Sequence, residues 1–180
     1  MKIFLACAAA VVMTVAGAVS AAAFPGLGID ATVSVPSPMG DFADGAKTGI
    51  GAGADAFFGL PMLPLKVGGR VAWNRFPHEV GDGNTSIIEV LPSVRYGFGL
   101  PFGTLSAFLQ AGAGVYASSI ETKILGKTVT DYTSDFGIAV GAGVSVMTIP
   151  SVKVLALPMY HIIFSDTKIS YYSLNVGLTF

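Results

Sequence analysis

From Leu105 to Ser118 an apolar residue falls at every second position. Leu105, Ala107, Leu109, Ala111, Ala113, Val115 and Ala117 share one face, and Ser106, Phe108, Gln110, Gly112, Gly114, Tyr116 and Ser118 share the other. The segment around Phe136 to Val146 repeats the pattern, with Phe136, Ile138, Val140, Ala142, Val144 and Val146 set against Asp135, Gly137, Ala139, Gly141, Gly143 and Ser145. A period of two is a strand signal, because successive side chains of an extended chain point to opposite faces. The second face decides what kind of sheet this is. In a soluble sandwich it is solvated and rich in Lys, Glu and Thr. Here it is mostly Gly, Ser and Ala with sparse charge, as required where side chains from all round a narrow barrel share one lumen.

The same alternation predicts eight strands: Gly26 to Val35, Lys47 to Gly59, Leu65 to Phe76, Thr85 to Gly99, Thr104 to Ser118, Thr133 to Thr148, Val152 to Ser165, and Lys168 to Phe180. Each has about the length of a tilted membrane strand. The connections Leu60 to Pro64, Leu100 to Gly103 and Ile149 to Ser151 are short, and each holds a proline. Pro36 to Ala46, Pro77 to Asn84 and Ser119 to Tyr132 are longer and more polar. Short periplasmic turns alternating with long extracellular loops mark outer-membrane barrels. The expected fold is therefore all-β: an eight-stranded antiparallel up-and-down transmembrane β-barrel with both termini in the periplasm. Closure satisfies every strand edge, which lipid demands. Aromatic residues near strand ends (Phe57 and Phe58, Trp73 and Phe76, Tyr96 and Phe98, Tyr160 and Phe164, Tyr171, Tyr172 and Phe180) are read as interfacial girdles.

Residues 1–23 read differently. Lys2 precedes an apolar run from Ile3 to Val19 and then Ser20, Ala21, Ala22 and Ala23. That order predicts a signal peptide cleaved before Phe24, leaving residues 24–180 as the barrel domain. Cys7, the only cysteine, lacks a leucine three positions before it, so no lipoprotein anchor is expected, and the exported domain is cysteine-free. Losing Lys2 takes the balance from 10 basic and 11 acidic residues to 9 and 11. Neither a nucleic-acid footprint nor a polybasic membrane patch is present.

The last strand, Tyr171-Tyr-Ser-Leu-Asn-Val-Gly-Leu-Thr-Phe180, puts Tyr172, Leu174, Val176, Leu178 and Phe180 on one face and ends on phenylalanine. It resembles the C-terminal assembly signal of bacterial outer-membrane barrels. Leu91-Pro-Ser-Val-Arg-Tyr-Gly-Phe98, followed by Leu109-Gln-Ala-Gly-Ala-Gly-Val-Tyr116, is similar to the paired strands of the OmpX, OmpA-domain and OmpW-like superfamily. The resemblance implies residence in a Gram-negative outer membrane and contact with its lipid and lipopolysaccharide. It also implies delivery by periplasmic chaperones and the barrel-assembly machinery, a monomeric state and no cofactor.

Strict alternation sends Asp30, Asp55, Glu89 and Asp135 into the lumen together with Lys66, Arg70, Arg95 and Lys153. Unpaired charge in a narrow lumen is costly, so a network that fills and orders the barrel is expected. Asp55 and Arg70 stand at similar heights on neighbouring strands. Leu155, Leu157 and Met159 also face inward, unless Pro158 marks a bulge that turns them to lipid.

Other constellations carry less. Gly49-x-Gly51-x-Gly53 alternates within a strand with no helix after it, unlike a nucleotide-binding loop. His78, Glu79 and Asp82 read as a solvated turn and not a metal site, and Asn84-Thr-Ser86 as a loop end. Lipid A deacylases of this barrel type carry a His-x-Ser pair on one strand. This chain has His161 with Ile163 in the serine position, and Ser165 lies roughly 13 Å along the strand from His161. His161 is expected to be a lumen hydrogen-bonding residue. The sequence thus points to a non-enzymatic outer-membrane barrel with a largely filled lumen and a structural or surface-interaction role. The alternatives are an OmpW-like narrow channel for small or hydrophobic solutes, a lipid A-modifying enzyme, and a soluble lipid-binding barrel with its apolar residues inward.

Overall fold

The computed structural model describes residues 26–79, 83–99, 104–124, 127–149, 152–165 and 169–180. The expected signal peptide lies outside them. Eight antiparallel strands run in chain order: β1 (Leu27–Met39), β2 (Ile50–Gly59), β3 (Leu65–Pro77), β4 (Gly83–Gly99), β5 (Leu105–Ile124), β6 (Lys127–Ile149), β7 (Val152–Phe164) and β8 (Ile169–Thr179). Each pairs with its neighbours, and β1 pairs with β8, so the sheet is a closed barrel. One short 3₁₀ segment, Gly40–Asp44, follows β1.

Alternation governs the two faces as expected. Val33, Val71, Val90, Val115, Val140 and Val176 point outward and are 44–62% exposed. The inward positions between them carry Thr32, Ser34, Arg70, Glu89, Gln110 and Asn175, all buried. A sheet that shows Val and Leu to its surroundings and hides Arg and Glu is inside out for water and correct for lipid. The soluble-barrel alternative required the reverse.

Several boundaries differ from those expected. β1 runs on to Met39, through Pro36 and Pro38, which pair with Ser173 and Tyr171 of β8. The missing proline N–H groups do not end the strand, because the Pro36 carbonyl still accepts from Gly49 N at 2.8 Å. The largest departure is Ser119 to Tyr132, expected as a loop. β5 and β6 stay paired out to Ile124↔Lys127, extending the hairpin by six residues, or roughly 20 Å, beyond Ser118. Above the membrane an outward face need not be apolar, so alternation fades there while the β-forming residues Ile120, Val129 and Tyr132 keep the ladder. β4 likewise begins at Gly83.

Pro158 interrupts the β6–β7 pairing between Gly141↔Met159 and Val144↔Ala156 without shifting the register. The irregularity lies instead between Met147 and Ile149. Leu155, Leu157 and Met159 therefore face inward, each 1% exposed or less, and pack with Leu91, Phe108, Tyr116 and Ile163. Three residues read as girdle members are also inward: Phe57, Phe76 and Tyr171, at 2%, 0% and 0% exposure. Their partners in parity, Phe58 and Tyr172, take the outer wall at 47% and 40%. Nearness to a strand end does not place an aromatic at the interface when the pleat turns it inward.

Lumen glycines make room for these rings. A Cβ on Gly137 of β6 would stand 2.6 Å from Cε2 of Tyr116, and one on Gly143 would strike the ring of Phe108. Gly97, by contrast, has nothing closer than 3.9 Å. Forcing extra carbon into a packed interior costs about 1–3 kcal/mol. Urea unfolding in lipid vesicles should therefore show Gly137→Val destabilised by about that amount, and Gly97→Ala changed by less than about 0.5 kcal/mol.

Candidate functional site

The lumen is crossed by one buried polar network with Arg70 at its centre. Arg70 rises from β3 and is 2% exposed. Its register partner on β2 is Asp55, and its Nη1 donates to Asp55 Oδ2 at 2.8 Å. Nε donates to Glu89 Oε1 on β4 at 2.7 Å, and Nη2 reaches across the lumen to Asn175 Oδ1 on β8 at 2.6 Å. One guanidinium thus ties four strands together. The planar fork of arginine suits this, because its donors point in fixed, divergent directions.

Toward the periplasmic end a second guanidinium repeats the device. Arg95 of β4 donates to Asp30 Oδ2 at 2.6 Å and to Gln110 Oε1 at 2.7 Å. Its plane is held between the rings of Phe57 and Phe108, at 4.2 and 4.3 Å from their centroids. Gln110 then donates from Nε2 to Asp55 Oδ1 at 2.8 Å, joining the Arg95 cluster to the Arg70 cluster. The chain Asp30, Arg95, Gln110, Asp55, Arg70, Glu89 is continuous. Charges taken out of water are tolerable in that form, since each carboxylate and guanidinium regains partners inside.

Toward the extracellular end the second Glu89 oxygen, Oε2, accepts from the Tyr171 hydroxyl at 3.1 Å and lies 3.1 Å from His161 Nδ1. His161 is fully buried on β7 and stacks on Tyr171 with centroids 4.3 Å apart. Its Nδ1 is also 3.1 Å from the Tyr116 hydroxyl, and its Nε2 is 3.0 Å from Ser173 Oγ. An aromatic column continues upward from Tyr171 to Phe76 and to Phe42 of the 3₁₀ segment, at centroid spacings of 5.3 and 5.0 Å. The loop after β1 thereby sets a phenylalanine against the top of the filled lumen.

Ser173, His161 and Glu89 stand in the order of a nucleophile, base and acid relay. Along the chain of β7 itself, Ser165 lies too far from His161 to serve as the nucleophile. The serine that meets His161 instead comes from the neighbouring strand. Its surroundings are those of a packed interior: Ser173 is 1% exposed, and its Oγ also accepts from Asn175 Nδ2 at 3.0 Å.

Of the eight charged residues assigned to the lumen by alternation, Asp30, Asp55, Arg70, Glu89 and Arg95 meet in this network. Lys66, Asp135 and Lys153 form no ion pair with any described residue. Lys66 is exposed opposite Arg95 in the register, Lys153 is half-buried opposite Thr179, and Asp135 is half-buried opposite Tyr116. All three keep some contact with solvent, unlike Arg70 and Glu89. Gln110, Tyr116, Tyr171, Ser173 and Asn175 complete the network although no charge marks them. The parity that turns Tyr172 and Leu174 outward is the sequence signal for the three from β8. Tyr172, Leu174, Val176 and Leu178 line the outer face of β8 at 40–44% exposure, with Phe180 half-buried at the end. Elsewhere, His78 Nε2 is 3.0 Å from the Thr85 hydroxyl, and Asn84 Nδ2 donates to Glu121 Oε2 at 3.0 Å.

Solved structures similar to this barrel include surface and outer-membrane proteins. Neisserial surface protein A matches with a TM-score of 0.62 at 17% identity, over 86% of this chain and 96% of that one. The attachment invasion locus protein Ail of Yersinia pestis matches with a TM-score of 0.52 at 20% identity, over 86% and 96% of the two chains. The outer-membrane enzyme PagL matches with a TM-score of 0.50 at 14% identity, over 82% and 97%. No curated protein sequence matches. The family described as "Outer membrane protein beta-barrel domain" matches residues 5–180. The inside-out wall, the closed eight-strand topology and this match together make the chain a member of that family of bacterial outer-membrane barrels.

Proposed function

We propose that this protein is a non-enzymatic outer-membrane barrel with a sealed lumen, acting through its outer wall and its extracellular β5–β6 hairpin in a structural or surface-interaction role. The observation that carries this is the Arg70 guanidinium. It makes three hydrogen bonds of 2.6–2.8 Å to side chains of β2, β4 and β8, and so occupies the middle of the barrel. A conducting path needs water or solute where that group sits. The apolar lumen residues give no greasy route either, because Leu155, Leu157 and Met159 are packed against Phe108 and Tyr116.

Similar folds include one protein named for attachment and one named as an enzyme, so fold does not choose between these roles and the site must. Acyl transfer requires a nucleophile open to substrate and donors for the developing oxyanion. Ser173 is enclosed, and Glu89 is shared with Arg70 and Tyr171, so the relay serves as lumen packing. The outward row of β8 supports recognition of the terminal strand by the assembly machinery during insertion, since it is the face and end presented before closure.

Single-channel recording in planar bilayers tests the seal. Wild type should be silent, whereas Arg70→Ala and Asp55→Ala should show discrete steps, since each opens space in the lumen and breaks a buried ion pair: the first leaves Asp55 and Glu89 without their guanidinium, and the second leaves Arg70 with Glu89 as its one carboxylate. Breaking such a pair costs about 3–5 kcal/mol, so both variants should also unfold at lower urea. Steady conductance in wild type would establish a channel instead. The enzymatic alternative has its own check. A fluorophosphonate serine probe should fail to label the folded barrel, and labelling that disappears in Ser173→Ala would overturn the non-enzymatic reading.

A further inference from the structure

On the outer wall, β3 to β6 carry two rows of side chains that break the pattern around them. The register aligns Trp73, Ile88, Ala117 and Ser134 in one row, and Arg75, Ser86, Ser119 and Tyr132 in the next row toward the extracellular side. Below them lies a row of Val71, Val90, Val115 and Phe136, all 50–56% exposed, which belongs to the apolar belt. Above them, Asn84 and Glu121 are hydrogen-bonded to one another. The two rows therefore sit at the change from apolar to polar wall, the level of lipid headgroups.

At that level the wall is recessed. Small residues at four positions leave a groove of about 480 Å³ between Trp73 on one side and Tyr132 on the other. Acyl chains wet a smooth apolar surface; they gain nothing from a floor of three serine hydroxyls. A sugar ring gains from both features, through hydrogen bonds to the floor and stacking of its C–H faces on the flanking aromatics. Arg75 stands at the groove's upper edge, register partner of the lining residue Ser86, and among the described residues it has no ion pair. A cation without a partner beside a polar groove matches an anionic substituent on that sugar.

We propose that this groove binds the phosphorylated sugar headgroup of an outer-leaflet glycolipid. The phosphate sits at Arg75, the sugar lies between Trp73 and Tyr132, and the acyl chains run down over Val71, Val90 and Val115. The proposal is independent of whether the lumen is sealed.

Trp73 is the only tryptophan in the chain, so its fluorescence reports on the groove directly. The full-length barrel, refolded in phosphatidylcholine vesicles, is titrated with a bisphosphorylated lipid A, with its dephosphorylated form, and with glucosamine 1-phosphate in solution. A saturable emission change with the phosphorylated glycolipid is expected. Affinity should fall by about tenfold or more on removing the phosphates, in Arg75→Gln, and in Ala117→Leu, which fills the floor, with recovery in Arg75→Lys. Retention of a heat-dependent shift in electrophoretic mobility confirms that each variant is folded. All these substitutions lie on the outer wall, away from the packed lumen. A non-saturating response would show ordinary annular lipid, and an unchanged Arg75→Gln would remove the phosphate contact. Equally tight binding of glucosamine 1-phosphate would make the ligand a soluble sugar phosphate. Any of the three overturns the proposal.

Discussion

Closure of the sheet between β1 and β8 sets every other term in this structure. Ten residue pairs, from Asp30↔Thr179 to Met39↔Ser170, turn an open sheet with two unpaired edges into one with none. In hydrocarbon an unpaired edge is untenable, because no water replaces the missing hydrogen bonds. Closing on eight strands fixes a diameter at which side chains from opposite walls touch. The inward residues must then satisfy one another. Asp30, Asp55 and Glu89 do so through Arg70 and Arg95, with Gln110, Asn175 and Tyr171 taking the remaining bonds.

The strength of this arrangement lies in its connectivity. A buried ion pair adds little over a well-packed apolar pair of the same shape, but one left without its partner is costly. Arg70 binds groups from three other strands, so its geometry is right only when the barrel is complete and in register. A one-residue slip of β8 would send Asn175, Ser173 and Tyr171 into lipid and bring Leu174 and Val176 inward. The network thus specifies register as well as filling space, and the glycines opposite Phe108 and Tyr116 admit the bulk that completes it.

Much of this was legible in the sequence, for a reason that also explains what was not. Period-two alternation over eight segments defines the barrel, its inside and its outside, and it sends the charged residues to the lumen. It says which side chains share a lumen and not which ones meet, since cross-lumen contacts depend on the registers of all eight strands at once. Hence Lys66, Asp135 and Lys153 looked equivalent to Arg70 and are not. The polar members carry no mark in the sequence because amides and hydroxyls are ordinary at such positions, and Tyr171 sits near a strand end as a girdle residue does, despite a parity that places it inward. The β5–β6 hairpin above the membrane was hidden because alternation, the signal for strands, is imposed by lipid and lapses beyond it.

The proposed function places activity on the exterior of a barrel whose lumen is sealed, and closure of that lumen is the claim most open to direct measurement. Cys7 is the only cysteine in the chain, so in a Cys7→Ser background a single engineered cysteine reports on one position. Thr133→Cys lies on the inward face of β6 near the extracellular end, and Ser106→Cys on the inward face of β5 near the periplasmic end. A charged, membrane-impermeant thiol reagent would be added to the extracellular side of sealed vesicles of known orientation. The account predicts rapid labelling of Thr133→Cys and none of Ser106→Cys until Arg70 is also replaced by alanine. Labelling of Ser106→Cys at a comparable rate with Arg70 intact would contradict it.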